Sequence, residues 1–136
     1  TRDYIFGYTI LNDVSARDVQ TAHKQWYFGK SLDGFTPIGP CIVTADAFAD
    51  YPPRLGIRSF VNGEKRQDSN TALQIFDIDH VIAELSQGMT LKAGTIIATG
   101  TPAGVGMGMD PPQFLKPGDV VRCEIDGIGT LTNPVK

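Results

Sequence analysis

Short apolar runs, each closed by glycine, proline, asparagine or aspartate, set the rhythm of this chain and predict mostly strands. Residues 4 to 11, Tyr-Ile-Phe-Gly-Tyr-Thr-Ile-Leu, read as one buried strand. Ser15-Ala16-Arg17-Asp18 then matches a capping box, with Ser15 capping a helix that runs to about Phe28 and Asp18 reaching back to it. Gly29 stands where that helix would stop. Residues 30 to 40 are rich in turn formers and predict an ordered loop before a strand at Cys41-Ile42-Val43-Thr44. Asp50-Tyr51-Pro52-Pro53 is a further break.

Ile57 to Val61 followed by Asn62-Gly63 and a polar partner strand predicts a hairpin, because Asn-Gly tolerates the positive φ of a type I′ turn. Ile78, Val81, Ile82 and Leu85 fall on one face of a helix over Asp79 to Gln87, with Gly88 as its C′ residue. Gly94 to Thr99 is a β-branched run, Lys116-Pro117-Gly118-Asp119 a turn, and Val120 to Ile125 pairs with Ile128 to Leu131 across Asp126-Gly127. The expectation is a β-rich α+β domain, a folded-over sheet or roll with two short helices and six or seven strands.

Composition narrows the class. With 136 residues, a net charge of −3 and 41% hydrophobic content, the chain suits one globular domain over 1 to 136 with its own core. It has neither a long apolar run nor the pattern of a secretory signal, so a cytoplasmic protein without membrane contact is expected. No stripe of basic residues interleaved with aromatics favours nucleic acid. Cys41 and Cys123 each sit inside an apolar run and read as small core residues. The first strand-like run opens within three residues of Thr1, so the chain is expected to lack an N-terminal portion.

Candidate chemistry concentrates in residues 13 to 35. Asp13 would lie at the end of a strand, with Arg17 and Gln20 on one face of the first helical turns. A carboxylate beside a guanidinium and an amide suits a hard cation and an anionic, oxygen-rich ligand, although a helix cap with a surface ion pair is the first reading of these residues alone. Lys30 sits in a loop stiffened by Gly29, Gly34, Pro37, Gly39 and Pro40, where a cation is better placed than on a flexible tip; a solvated lysine is the alternative. Trp26, Tyr27 and Phe28 would pack the helix end into the core. Thr99 to Gly106 is a glycine-rich turn that lacks the Gly-Lys-Ser/Thr of a phosphate loop, and Pro111-Pro112 forbids the helix of a dinucleotide site. It would offer backbone N–H groups near a hydroxyl to a carboxylate or enolate oxygen, or be a plain tight turn. His23 and His80 show no zinc spacing and read as surface residues.

Taken in order, "GYTILNDVSARDVQ", "QWYFGKSLDGFTPIGP", "VNGEKRQ", "GMTLKAGTIIATGTPAGVG" and "LKPGDVVRCEIDGIGTL" resemble the C-terminal catalytic domain of the fumarylacetoacetate hydrolase family over essentially the whole chain. The second of these leans toward its small bacterial-type members, dienedioate isomerases and acylpyruvate hydrolases. The resemblance implies a mixed β-sandwich roll and a divalent-metal-dependent enzyme, with Mg²⁺ or Mn²⁺ held by three carboxylates. It implies a small 2-oxo or enolisable carboxylic acid as substrate, of the kind met in aromatic catabolism, which is hydrolysed, decarboxylated or isomerised, and it implies a homodimer.

Carried over position by position, the resemblance makes Asp13 a metal ligand and Lys30 the catalytic lysine. Arg17, Gln20, Gly100 and Thr101 become substrate-binding residues. The family's remaining ligands, a Glu-x-Glu pair, and its His and Glu lid lie upstream of the first strand, and no Glu-x-Glu occurs here, where Glu64, Glu84 and Glu124 stand alone. The expectation is therefore one metal ligand of three on this chain, as a piece of an enzyme. A non-catalytic remnant or dimerisation domain with an incomplete metal site is the alternative.

Overall fold

The computed structural model describes residues 1–22 and 24–136, and the reading of His23 lies outside the described residues. Among the described residues, six strands form two sheets. β1 (Gly7–Leu11) and β2 (Ile38–Thr44) make an antiparallel two-stranded ribbon. β3 (Gly56–Val61), β4 (Glu64–Asn70), β5 (Val120–Ile125) and β6 (Gly129–Pro134) make an antiparallel sheet of order β4-β3-β5-β6. The ribbon packs over the sheet where β2 meets β6 and β1 meets β5. Ile10, Val121 and Ile128, all under a tenth exposed, form the buried apolar centre between them. This is the β-rich roll with two helices that the residue pattern predicts.

Local chemistry explains the sheet. Asn62 (φ 52°) and Gly63 (φ 85°) adopt the two positive φ values of the expected turn. Asn62 also accepts from Val120 N at 2.9 Å through Oδ1 and donates to Asp119 Oδ1 at 2.8 Å through Nδ2, so the turn pins the start of β5 as well. Between Lys65 and Gln67 the register slips by one, leaving Arg66 as the extra residue of a β-bulge.

Three carboxylates clasp this sheet, and each is held below its ordinary pKa. Asp126 is lowered chiefly by its hydrogen bond from Arg58, at 2.9 Å. Asp68 is lowered chiefly by Lys65, and Asp119 chiefly by Asn62. A carboxylate with a depressed folded pKa stabilises the fold above its unfolded value, and that contribution disappears as pH falls through the folded value. The thermal midpoint is therefore expected to hold steady near neutrality and to fall once pH drops below about 4. A midpoint that is flat from pH 7 to 2 would contradict these pairings.

Several expected elements differ. The first strand is shorter, because Arg2–Tyr4 form a 3-10 turn and Tyr4 and Phe6 are exposed. Helix α1 spans only Arg17–Ala22, and the next helical residues are the 3-10 turn Phe28–Lys30. Lys24 has φ 54°, a left-handed conformation that a right-handed helix cannot continue through, so the chain doubles back. Gly29 is buried against α1 rather than ending it: a Cβ there would lie 2.8 Å from Ala16 O and 2.9 Å from Gln20 Cβ. Trp26 and Tyr27 are about two-thirds exposed (67% and 69%) and Phe28 is 45% exposed, so this aromatic run does not enter the core.

Helix α2 (Ile78–Gly88) begins at the N-cap Asp77, whose side chain accepts from His80 N. Gly88 is its last residue and not a left-handed C′ position, and Met89 caps it in extended conformation. His80 is exposed, as expected, with its ring stacked 4.7 Å from that of Phe76. Strand β2 starts at Ile38, three residues early, because Leu11 and Ile10 pair with Ile38 and Gly39. Gly94 to Thr99 is not a strand: β-branched residues form one only with a partner ladder, and these have none among the described residues. Cys41 is exposed rather than buried, while Cys123 is half-buried and its thiol pKa is raised by desolvation. No described helix is long and apolar enough to cross a membrane.

Candidate active site

The turn that follows β1 carries the candidate chemistry. Asn12 N donates to Pro37 O at 3.0 Å and Val14 N to Asn12 O at 2.9 Å, which curls the chain tightly between β1 and α1. Ser15 was the expected helix cap, but the first helical bond runs from Gln20 N to Ala16 O. The Ser15 hydroxyl instead donates to Asp13 O at 3.2 Å and accepts from Lys30 Nζ at 3.1 Å. The backbone closes the same loop, since Ala16 N donates to Gly29 O at 2.8 Å. Gly29 can approach this closely only because it lacks a side chain, and its approach delivers Lys30 to Asp13.

Lys30 Nζ lies 2.5 Å from Asp13 Oδ2. Two of the three ammonium protons are thus committed, to Asp13 and Ser15, and the third is available to a ligand. Thr36 Oγ1 donates to Lys30 O at 3.0 Å, which fixes the lysine backbone from the loop side. Both charged groups stay partly open to solvent, at 26% side-chain exposure for Lys30 and 40% for Asp13. Such a pair contributes little to stability, so its placement needs another account.

Arg17 and Gln20 share a helix face as expected. Arg17 Nη1 donates to Gln20 Oε1 at 2.7 Å, and Gln20 is only 4% exposed. A buried amide of this kind orients the guanidinium in front of it. Gly100 has φ 110° and Thr101 is exposed just after it. Their loop is anchored on β4: Gln67 Nε2 donates to Thr101 Oγ1 and to Pro102 O, each at 2.8 Å. Gly104 (φ 106°) presses on the bulge, where a Cβ would sit 2.1 Å from Arg66 O.

The structure therefore groups Asp13 with Lys30 and Arg17 with Gln20, and holds Gly100 and Thr101 in a separate loop with no hydrogen bond to the first group among the described residues. Two surface hollows, one along Asp50 to Arg54 and Thr71 to Asp77, the other along Arg2 to Phe6 and Thr44 to Asp46, include none of these residues. Residue patterns missed Ser15 as a partner of Lys30, because Ser-x-x-Asp reads first as a cap. They also missed Gln67. A two-residue turn at Asn62-Gly63 sets Arg66 opposite Ser59, and only the bulge brings Gln67 there.

Asp13 offers the donor chemistry a hard divalent cation requires, with Oδ1 free of hydrogen bonds among the described residues. It fits one ligand position only. No group of three His, Cys, Asp or Glu side chains that could hold a metal occurs among the described residues.

Comparison with known proteins addresses the chain and its fold as a whole. The family model described as the fumarylacetoacetate hydrolase C-terminal region matches residues 1–136. An oxaloacetate tautomerase of Bacillus subtilis is 52% identical over 133 residues, 98% of this chain and 44% of its own length. A fumarylacetoacetate hydrolase from Exiguobacterium antarcticum superposes with a TM-score of 0.95 at 54% identity, covering 99% of this chain and 48% of that one. A maleylpyruvate hydrolase from a Sphingobium species, solved with manganese(II) and pyruvate, superposes with a TM-score of 0.82 at 41% identity, covering 98% and 45%. The chain thus spans about half the length of these relatives. With motif order, fold and whole-length match in agreement, the chain belongs to the fumarylacetoacetate hydrolase family.

Proposed function

We propose that this chain supplies the lysine-bearing half of a divalent-metal-dependent active site that enolises small 2-oxo dicarboxylic acids. The observation that carries the reading is Lys30, held between Asp13 and Ser15 by a buried glycine with one ammonium proton to spare. In this reading Asp13 is one ligand of Mg²⁺ or Mn²⁺, and the remaining carboxylates come from outside these 136 residues. A bound divalent ion would supply Lewis-acid stabilisation of the oxygen on which enolate charge develops.

The chain's own residues do the rest. Lys30 places a fixed positive charge beside the same oxygen, so it favours the enolate over the keto acid. Arg17, set by Gln20, offers a paired donor to a carboxylate, and Thr101 with the Gly100 backbone meets the second end of the acid. An enolate is common to tautomerisation, isomerisation, decarboxylation and carbon–carbon hydrolysis of such acids. The tautomerase and hydrolase names carried by relatives support that shared step rather than one outcome. Exposed large apolar residues such as Ile38, Ile42, Ile96 and Phe114 support burial against further protein, and a cytoplasmic homodimer is the assembly proposed.

The test is solvent exchange. In D₂O, the full-length protein carrying this domain, with Mn²⁺ or Mg²⁺, is expected to speed deuterium incorporation at C3 of oxaloacetate well above the spontaneous rate, followed by proton NMR. The incomplete donor set favours a second reading, a non-catalytic interaction domain. Exchange no faster than without protein, for oxaloacetate and for an acylpyruvate, would establish that second reading instead.

A further inference from the structure

The Gln67 amide makes three hydrogen bonds, and the direction of each can be worked out. Pro102 O can only accept, so the group 2.8 Å from it must be Nε2 of Gln67 rather than Oε1. That choice places Oε1 toward Ser59, whose hydroxyl donates to it at 2.7 Å. The second proton of Nε2 then points at Thr101 Oγ1, 2.8 Å away. Thr101 must accept there. Its own hydroxyl proton is consequently left over, and among the described residues it donates to no protein acceptor.

The frame behind this network is rigid. Gln67 and Ser59 are directly paired across β4 and β3, next to the bulge at Arg66, and Gly104 packs its backbone on the Arg66 carbonyl. The loop bearing Thr101 is therefore clamped at Thr101 and Pro102 by one side chain and at Gly104 by close backbone contact. A hydroxyl that is forced to accept on its protein side is primed to donate on its solvent side.

We propose that Gln67 is a positioning residue that makes Thr101 an obligate hydrogen-bond donor, aimed at a carboxylate oxygen of the bound acid. This rests on the reading of Thr101 as a ligand contact given above. Ser59 completes the relay by holding the Gln67 amide against flipping.

The test is calorimetric binding of oxalate to the Mn²⁺-loaded full-length protein, for the unaltered chain, Thr101→Val, Gln67→Leu and the double variant. Thr101→Val is expected to weaken oxalate about tenfold or more, because a donor to a charged acceptor is lost. Gln67→Leu is expected to match it, and the double variant to be no worse than Thr101→Val alone. Gln67→Glu, nearly the same size, covers the case in which Gln67→Leu does not fold: its ionised carboxylate can only accept, so it turns the Thr101 proton inward and is expected to show the same loss. Unchanged oxalate affinity in both Gln67 variants, or losses that multiply fully in the double variant, would overturn the proposal while leaving Thr101 in place. An unaffected Thr101→Val, or no oxalate binding by the unaltered protein, would overturn the ligand reading beneath it.

Discussion

Lys30→Met in the full-length protein is expected to lower kcat for enolisation about 100-fold or more, the usual effect of removing one preorganised charged donor from a developing oxyanion. Methionine keeps the length and most of the apolar stem of lysine, so the loss falls on charge rather than on packing. The ion pair with Asp13 is partly exposed, and removing it is expected to move the thermal midpoint little. Metal affinity should hold or rise, because Lys30 competes for Asp13 Oδ2 at 2.5 Å and its departure frees that oxygen. Steady-state kinetics beside a metal titration checks all three. Near-normal turnover would remove Lys30 from the chemistry and return it to the role of a surface partner for Asp13.

Asp13→Asn has the complementary signature. The amide keeps the shape and one carbonyl oxygen but not the negative charge that a hard cation prefers. Loss of an outer-shell partner already costs a metal site 10- to 100-fold in affinity, as a typical range. Loss of a charged ligand is therefore expected to weaken Mn²⁺ about 100-fold or more. Lys30 would at the same time lose its ionic partner and keep only neutral acceptors, Ser15 Oγ at 3.1 Å and the amide oxygen, so activity should not return fully even at saturating metal.

The elements legible in the chain were those whose signals are local. Asn62-Gly63 dictates its own φ values, and the Ile78, Val81, Ile82, Leu85 stripe announces α2 without reference to anything else. Elements that depend on distant partners were misread. Gly94 to Thr99 has strand propensity but no ladder to join, and α1 ends early because Lys24 turns back to bring Gly29 against Ala16. Ser15 shows the same limit within the site. Its spacing to Asp18 is that of a capping box, yet Lys30, fifteen residues on, claims the hydroxyl.

The site itself was legible in part. Pattern alone placed Asp13 at a strand end and set Arg17 beside Gln20, and both placements hold. The meeting of Asp13 with Lys30 could not be read from spacing, since it is made by the loop closure at Gly29 and Ala16. Composition does not say which apolar residues are buried: Ile10, Val121 and Ile128 are, while Ile42, Ile75 and Phe76 remain open to solvent.

The central claim is that Asp13 and Lys30 face one metal-bound acid, and a single titration series addresses it. Mn²⁺ is titrated calorimetrically into the full-length protein, with and without oxalate, for the unaltered chain, Asp13→Asn and Lys30→Met. The expected result is tight Mn²⁺ binding strengthened by oxalate in the unaltered protein, Mn²⁺ binding weakened about 100-fold or more in Asp13→Asn, and Mn²⁺ binding kept but oxalate enhancement reduced in Lys30→Met. Mn²⁺ affinity in Asp13→Asn equal to that of the unaltered protein would contradict the account, because the metal would then sit elsewhere.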